Sequence, residues 1–410
     1  MIRKILGEYK EILLYSLIAL LVGIIIGGID AVFGEVLIKI TEIRSEHVIK
    51  LVPFLPIAGV LIILIYGYFS KESLKGMTLI FETGHGNNAH IPKMLVPLII
   101  VTTWITHLFG GSAGREGVAV QLGATVAHTI ARNLKFLNNS RVLLVIGMAA
   151  GFAGLFQTPL AATFFALEVL VSGVFLYEVL LPALVASFAA STTSHLLGLE
   201  KFSVNIQNTI SLSPENFLKL ILVGIIFGIV GGIFAYFLSF SKKKLASFIV
   251  SPIKRIFVTG CILTFLLLLL HAGRYCGLGT NLIHISFTDG IIFNYDWLLK
   301  LFLTILTLAA GFQGGEVTPL FSIGASLGIV LGSLLGLPTM LIAALGYAAV
   351  FGSATNTLLA PILIGAEVFG PQNTIYFAIV CSLAFIFNGN KTIYTAQKRF
   401  NFFSHENIQL

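Results

Sequence analysis

Gly110 to Gly123 reads Gly-Gly-Ser-Ala-Gly-Arg-Glu-Gly-Val-Ala-Val-Gln-Leu-Gly, setting adjacent Arg115 and Glu116 between glycines inside an apolar sequence. Ionisable groups are costly in apolar surroundings, so a pair held there reads first as functional. The glycines Gly110, Gly111, Gly114 and Gly117 let the backbone leave helical geometry and bring its N–H groups close to a small ligand. If Val118 to Ile130 continues as a helix, the free N–H groups of its first turn and the positive end of its dipole converge near Glu116. Such a turn is an anion site with a carboxylate placed in it. Two other readings compete. One is close helix packing with a snorkelling Arg-Glu pair. The other is a nucleophile elbow, since Gly110, Ser112 and Gly114 match Gly-x-Ser-x-Gly, but an elbow needs a strand before it. The helix-like run Ile99 to Leu108 stands where that strand would be.

Composition decides the environment. Of 410 residues, 57% are hydrophobic and 10% charged, and the mean hydropathy is +0.97. No soluble domain hides that much apolar surface, so the chain is read as an all-α, multi-pass membrane protein. The net charge of +7 fits lysines and arginines gathered in cytoplasmic loops rather than a nucleic-acid partner. Lys242, Lys243, Lys244, Lys254 and Arg255 share one such loop, and Lys398 and Arg399 lie near the end, which places that loop and the C-terminal region inside; both termini are expected to be cytoplasmic. Cys261, Cys276 and Cys381 have neither metal-ligand nor disulfide spacing, and no cofactor is implied. His85 and His90, in Gly-His-Gly-Asn-Asn-Ala-His, read as a solvated loop or a metal hairpin lacking a third ligand.

The apolar run Ile12 to Ile29 is long enough to span and lacks a cleavage pattern, so it is a retained first helix. Stretches near 51–69, 176–197, 217–240, 256–271 and 298–310 approach a full span. Shorter ones, at 94–109, 118–131, 142–156, 159–171, 319–336, 339–351, 357–369 and 374–387, are interrupted by Gly or Pro. Broken helices at membrane depth survive only when buried in protein or lining a cavity, which points to a channel or transporter.

An internal repeat supports this. Gly147–Val169 and Gly346–Val368 share nine identities over 23 ungapped positions, pairing Phe152 with Phe351, Thr158 with Thr357 and Glu168 with Glu367. Thr106, Gly110, Gly114, Gly123 and Ala124 align likewise with Thr307, Gly311, Gly315, Gly324 and Ala325. The chain is therefore read as one transmembrane domain of two repeats, about 1–205 and 206–410, with the binding site at their interface; the match itself fits inverted and parallel repeats alike, and inverted repeats are the expected architecture. The partner of the Arg115-Glu116 turn is Gly-Gly-Glu-Val-Thr-Pro at 314–319, whose Pro319 suits the first turn of a helix. Two helix N-termini would then face each other across a small cavity, a field that attracts anions. Glu168 and Glu367 read equally as helix-end groups and as proton carriers.

These motifs resemble the CLC family of anion channels and proton-coupled antiporters. Gly114-Arg115-Glu116-Gly117 is similar to the family's gating-glutamate motif, 314–319 to its Gly-x-Phe-x-Pro motif, and Tyr394 stands where the family places a tyrosine facing the central anion. Met77 fills the position of the family's anion-contacting serine, Val118 replaces a proline, Glu316-Val317-Thr318 replaces a phenylalanine turn, and Val169 stands for the inner proton glutamate. In combination these departures resemble the fluoride/proton antiporter subclass. What the resemblance implies is fluoride export coupled to protons, with Glu116 as gate. Gly114, Arg115, Gly117, Val118, Met77, Phe81, Glu316, Val317, Thr318 and Tyr394 would form the anion site, Phe81 offering a ring edge and Glu316 standing in for the inner proton group. The same resemblance implies a homodimer in a bacterial plasma membrane, without a cytoplasmic regulatory domain. The alternatives it leaves are a chloride or broad halide channel or antiporter; the Ser112 hydrolase is the one enzymatic reading.

Overall fold

The computed structural model describes residues 2–86, 90–133, 140–207, 210–288 and 290–400. The first half runs α1 (Ile2–Glu46), α2 (Val48–Leu51), α3 (Leu55–Phe69), α4 (Met77–Gly84), α5 (Leu95–Leu108), α6 (Glu116–Asn133), α7 (Ser140–Phe156), α8 (Pro159–Glu168) and α9 (Leu180–Leu196). The second runs α10 (Pro214–Phe248), α11 (Pro252–Leu269), α12 (Thr280–Ser286), α13 (Asp296–Ala310), α14 (Val317–Leu335), α15 (Thr339–Thr355), α16 (Leu359–Phe369) and α17 (Thr374–Ile386). Six helices among the described residues are long and apolar enough to cross a bilayer, and outward side chains such as Leu17, Leu21, Ile57, Phe265 and Leu269 stay exposed. An exterior this apolar belongs to a multi-pass membrane protein.

Most of the broken segments expected from sequence form short helices close to their anticipated bounds. The segment 319–336 instead becomes the 19-residue α14, long enough to span, while 298–310, expected to approach a full span, becomes the 15-residue α13, which is not among the six. Two further differences stand out. The first helix extends far beyond Ile12 to Ile29, because no proline interrupts α1 and its glycines Gly23 and Gly27 pack against Ala186 and Ala190 of α9 instead of ending it. Helices α4 and α12 are additional, each too short to carry a periodic apolar signal. The only strand pairing among the described residues is β1 (Val171–Ser172) with β2 (Lys398–Arg399), a two-residue parallel ladder tying the segment beyond α17 to the segment after α8.

Contacts between the halves are reciprocal. Gly114 N–H donates to Gly315 O at 2.6 Å, and Gly315 N–H donates to Gly114 O at 2.7 Å. The Glu168 carboxylate, ending α8, accepts from the N–H groups of Leu358, Leu359 and Ala360 at 3.1, 3.1 and 2.9 Å; Glu367, in the last turn of α16, accepts from Leu160 and Ala161 at 3.2 and 2.8 Å. Equivalent residues contacting each other in both directions require a pseudo-two-fold axis, so α8 and α16 lie antiparallel. Gln157 and Asn356 carry the same relation into the backbone, each following its helix with positive φ, 61° and 56°.

The two glutamates thus cap helix N-termini across the interface, which favours the helix-end reading. Glu168→Ala leaves three N–H groups without this acceptor, that of Ala360 buried and those of Leu358 and Leu359 partly so, and is expected to destabilise the protein by ~1–3 kcal/mol. Thermal unfolding in detergent reads this; an unchanged midpoint would show that the cap is dispensable.

Candidate functional site

The glycine turn places Glu116 as the first residue of α6, with the carboxylate 1% exposed. Its neighbours are set by the other half. Oε2 accepts from the Thr318 backbone N–H at 3.1 Å and from the Thr318 hydroxyl, while Oε1 lies 3.6 Å from Arg115 Nε. Thr318 sits in the first turn of α14 beside buried Val317, where N–H groups are free of helical partners and the dipole is positive. A carboxylate therefore occupies an anion-binding helix terminus.

Two expectations need correcting. The N–H groups of α6 do not serve Glu116: Val118 N–H donates to Arg115 O at 3.0 Å, starting the helix's own ladder, and Glu116 Oε2 accepts from Thr318 of α14 and, at 3.4 Å, from the Arg115 N–H just before α6. Nor do the two helix N-termini enclose a cavity between them. The Gly114–Gly315 bridge draws the turns into contact: a Cβ on Gly114 would lie 2.8 Å from Pro319 Cδ, and one on Gly117 3.5 Å from Glu316 Oε2.

Cavities flank this septum instead. One, of about 440 Å³, is lined by Arg115, Glu116, Thr318, Tyr347, Phe156 and His284. The other, of about 420 Å³, is lined by Met77, Phe81, Gln121, Glu316, Tyr394 and Lys242. Met77 opens α4 and lines the cavity with a thioether, which donates no hydrogen. The Phe81 ring is fully buried and stacks on Tyr394 with centroids 5.0 Å apart, so its face is occupied by the tyrosine. The Tyr394 hydroxyl is buried without a hydrogen-bond partner among the described residues, and Lys242 Nζ lies 3.9 Å from Glu316 Oε1. A buried hydroxyl left unsatisfied is costly unless something fills the space beside it. The expected residues divide into a Glu116 set and a Met77 set on the two sides of the septum, with Gly114 and Gly117 in the septum itself, whereas Val118 and Val317 line neither cavity and bury their side chains in the apolar core.

The Ser112 hydrolase reading does not hold. Helix α5 precedes the turn where an elbow needs a strand, and the Ser112 hydroxyl is wholly buried between Thr304 Oγ1 and Lys300 Nζ, both at 2.9 Å, out of reach of any substrate. His85 is no hairpin ligand: its Nε2 lies 3.0 Å from Ala396 O, while His90 meets Arg132. Residues 87–89 between them lie outside the described residues. Sequence reading passed over Arg44 and Lys300, two buried cations near Ser112; the one available signal was a single lysine in the apolar run 298–310.

A sequence model described as "voltage gated chloride channel" matches residues 58–389, most of the chain. The chain belongs to the CLC family. A "chloride/fluoride channel protein" of Pseudomonas syringae pv. tomato is 35% identical over 92% of this chain and 85% of its own length. The crystal structure of a CLC-type fluoride/proton antiporter superposes with a TM-score of 0.94 at 52% identity, covering 96% of this chain and 99% of that one. A slow cyanobacterial chloride/proton antiporter shares the CLC fold, with a TM-score of 0.81 at 20% identity over 93% and 96% of the two chains. A CLC protein of this kind is an anion transporter, not an enzyme.

Proposed function

We propose that this CLC protein exports fluoride in exchange for protons, with Glu116 as the group that links the two. The observation carrying the reading is the Glu116 carboxylate bound to the Thr318 N–H and hydroxyl at the start of α14, an anion mimic standing in the anion's place. Ionised, Glu116 competes with the transported ion for those donors; protonated, it gives up most of its attraction for them and leaves them to fluoride. Fluoride holds its water strongly and needs hydrogen-bond donors in its place, which Thr318 supplies in one cavity and the Tyr394 hydroxyl, unpartnered among the described residues, in the other.

Lysine and arginine placement gives the orientation. Lys242 and Arg255 line the Met77 cavity, so that cavity opens to the cytoplasm and the Glu116 cavity to the outside. Glu316, between Lys242 and the septum, then serves as the inner proton group. Both termini are cytoplasmic, the membrane is a bacterial plasma membrane whose lipid covers the exposed apolar face, and two copies associate, by resemblance to the family. The test is efflux from proteoliposomes, comparing fluoride with chloride while recording protons. Fluoride-driven proton uptake supports the reading; chloride-driven uptake of equal size would replace fluoride with a broad halide.

Selectivity follows from Met77. A serine donor there would stabilise any halide, whereas the thioether withholds a donor and walls the cavity with apolar bulk. Met77→Ser is expected to raise chloride flux relative to fluoride about tenfold, a change of ~1.4 kcal/mol. An unchanged flux ratio would make Met77 a packing residue and move selectivity to Glu316–Thr318.

A further inference from the structure

Beyond the Glu116 cavity lies a smaller one, of about 210 Å³, with which it shares Thr41, Ser45, Thr280 and Asn281. Its wall carries Arg44, near the end of α1, 5% exposed. One guanidinium nitrogen donates to His107 O at 3.0 Å. The group lies against Gly277, where an added Cβ would sit 2.3 Å from Nη1 and 3.0 Å from Nη2. Against the same loop stands the wholly buried Lys300, whose ammonium donates to Ser112 Oγ, Tyr275 O and Gly277 O at 2.9, 3.2 and 2.7 Å. Neither cation forms an ion pair among the described residues.

Two buried basic groups held against one loop without a counter-charge are costly in their charged forms. Lys300 engages three fixed oxygens and has no hydrogen left for a ligand. Arg44 has five N–H donors and gives one nitrogen to a carbonyl, leaving donors beside a polar cavity that leads to the gate. We infer that Arg44 forms an outer binding site for a small monovalent anion, fluoride or chloride, through which the ion exchanges with the Glu116 gate. The site has no part in holding Glu116 itself, which contacts Thr318 and Arg115. The guanidinium charge and the cavity together raise the local anion concentration at the mouth of the pathway. This rests on the anion-transport reading for its use, though binding at Arg44 is measurable without transport.

The test is made on the purified full chain. Isothermal titration with sodium fluoride, and separately with sodium chloride, counts anions bound to wild type and to Arg44→Gln; flux into proteoliposomes against external concentration gives half-saturation. The expected result is one anion fewer per chain in Arg44→Gln and a half-saturating concentration raised about tenfold, with the maximal rate within about twofold of wild type. Should Arg44→Gln fail to fold, Val48→Phe, at a position that lines the smaller cavity and not the Glu116 one, narrows it while leaving the guanidinium in place and is expected to give the same two changes. Equal stoichiometry and equal half-saturation overturn the site, and so does a fall in maximal rate alone, which marks Arg44 as a strut for His107 and Gly277. A wild type that binds an anion at Arg44 but transports none leaves this site standing and removes the transport reading.

Discussion

Glu116→Gln protein reconstituted into liposomes is expected to carry anion while moving almost no protons, anion-driven proton flux falling on the order of a hundredfold. Coupling in this fold needs one group whose charge both ions sense. In the proposed mechanism Glu116 is that group, a reading supported by its buried carboxylate and by the two Thr318 donors held on its acceptor oxygen. Glutamine matches the protonated carboxyl in size and charge but cannot titrate. Its amide oxygen is also a weaker acceptor than a carboxylate for the α14 terminus, so an anion displaces it more easily. Proton movement and anion movement therefore separate, and residual anion flux is compatible with the assignment. Parallel pH-electrode and ion-electrode traces make the measurement; wild-type proton pumping by Glu116→Gln would remove Glu116 from the proton path.

Much of this arrangement is legible in the sequence because the chemistry is local. The turn 110–117, the turn 314–319 and the paired Glu168 and Glu367 are each written in a few adjacent residues, and the repeat makes each half a check on the other. What is not legible depends on how the halves meet. The turn taken alone assigns Glu116 the N–H groups of its own helix, but Val118 uses its N–H within α6 and the carboxylate crosses to Thr318, about two hundred residues away along the chain. The cavity expected between two facing turns is closed by the Gly114–Gly315 bridge, a contact that no spacing pattern encodes. Met77 and Tyr394 can be assigned to one site only through resemblance to a family, because nothing in the spacing of the residues joins α4 to a segment beyond α17. Arg44 stays hidden for a related reason: a basic residue at the end of a long apolar helix reads as snorkelling, and only the packed structure shows it buried beside Gly277.

The same packing makes Gly324→Ala the second large effect, expected to destabilise the protein by at least ~3 kcal/mol. Intrinsic propensity argues the other way, since alanine in a helix interior gains up to ~1 kcal/mol over glycine. Contact geometry decides against it. A Cβ at Gly324 would lie 2.0 Å from Gly346 O and 2.4 Å from Gly346 C, and the first half repeats the arrangement, with a Cβ on Gly123 2.0 Å from Gly147 O. Both obstacles are backbone, so no side chain can swing aside, and α14 and α15 must move apart. Helix α14 carries Thr318 in its first turn, so the movement also shifts the donors that hold Glu116 and that fluoride would use. Gly67→Ala is the control: nothing lies within 4 Å of its added Cβ, and it is expected to unfold at or above the wild-type midpoint. Unfolding midpoints of the three proteins in one detergent make the comparison. Equal midpoints for Gly324→Ala and wild type would mean that α14 and α15 tolerate a wider separation, and that the placement of Thr318 does not depend on the glycine contact.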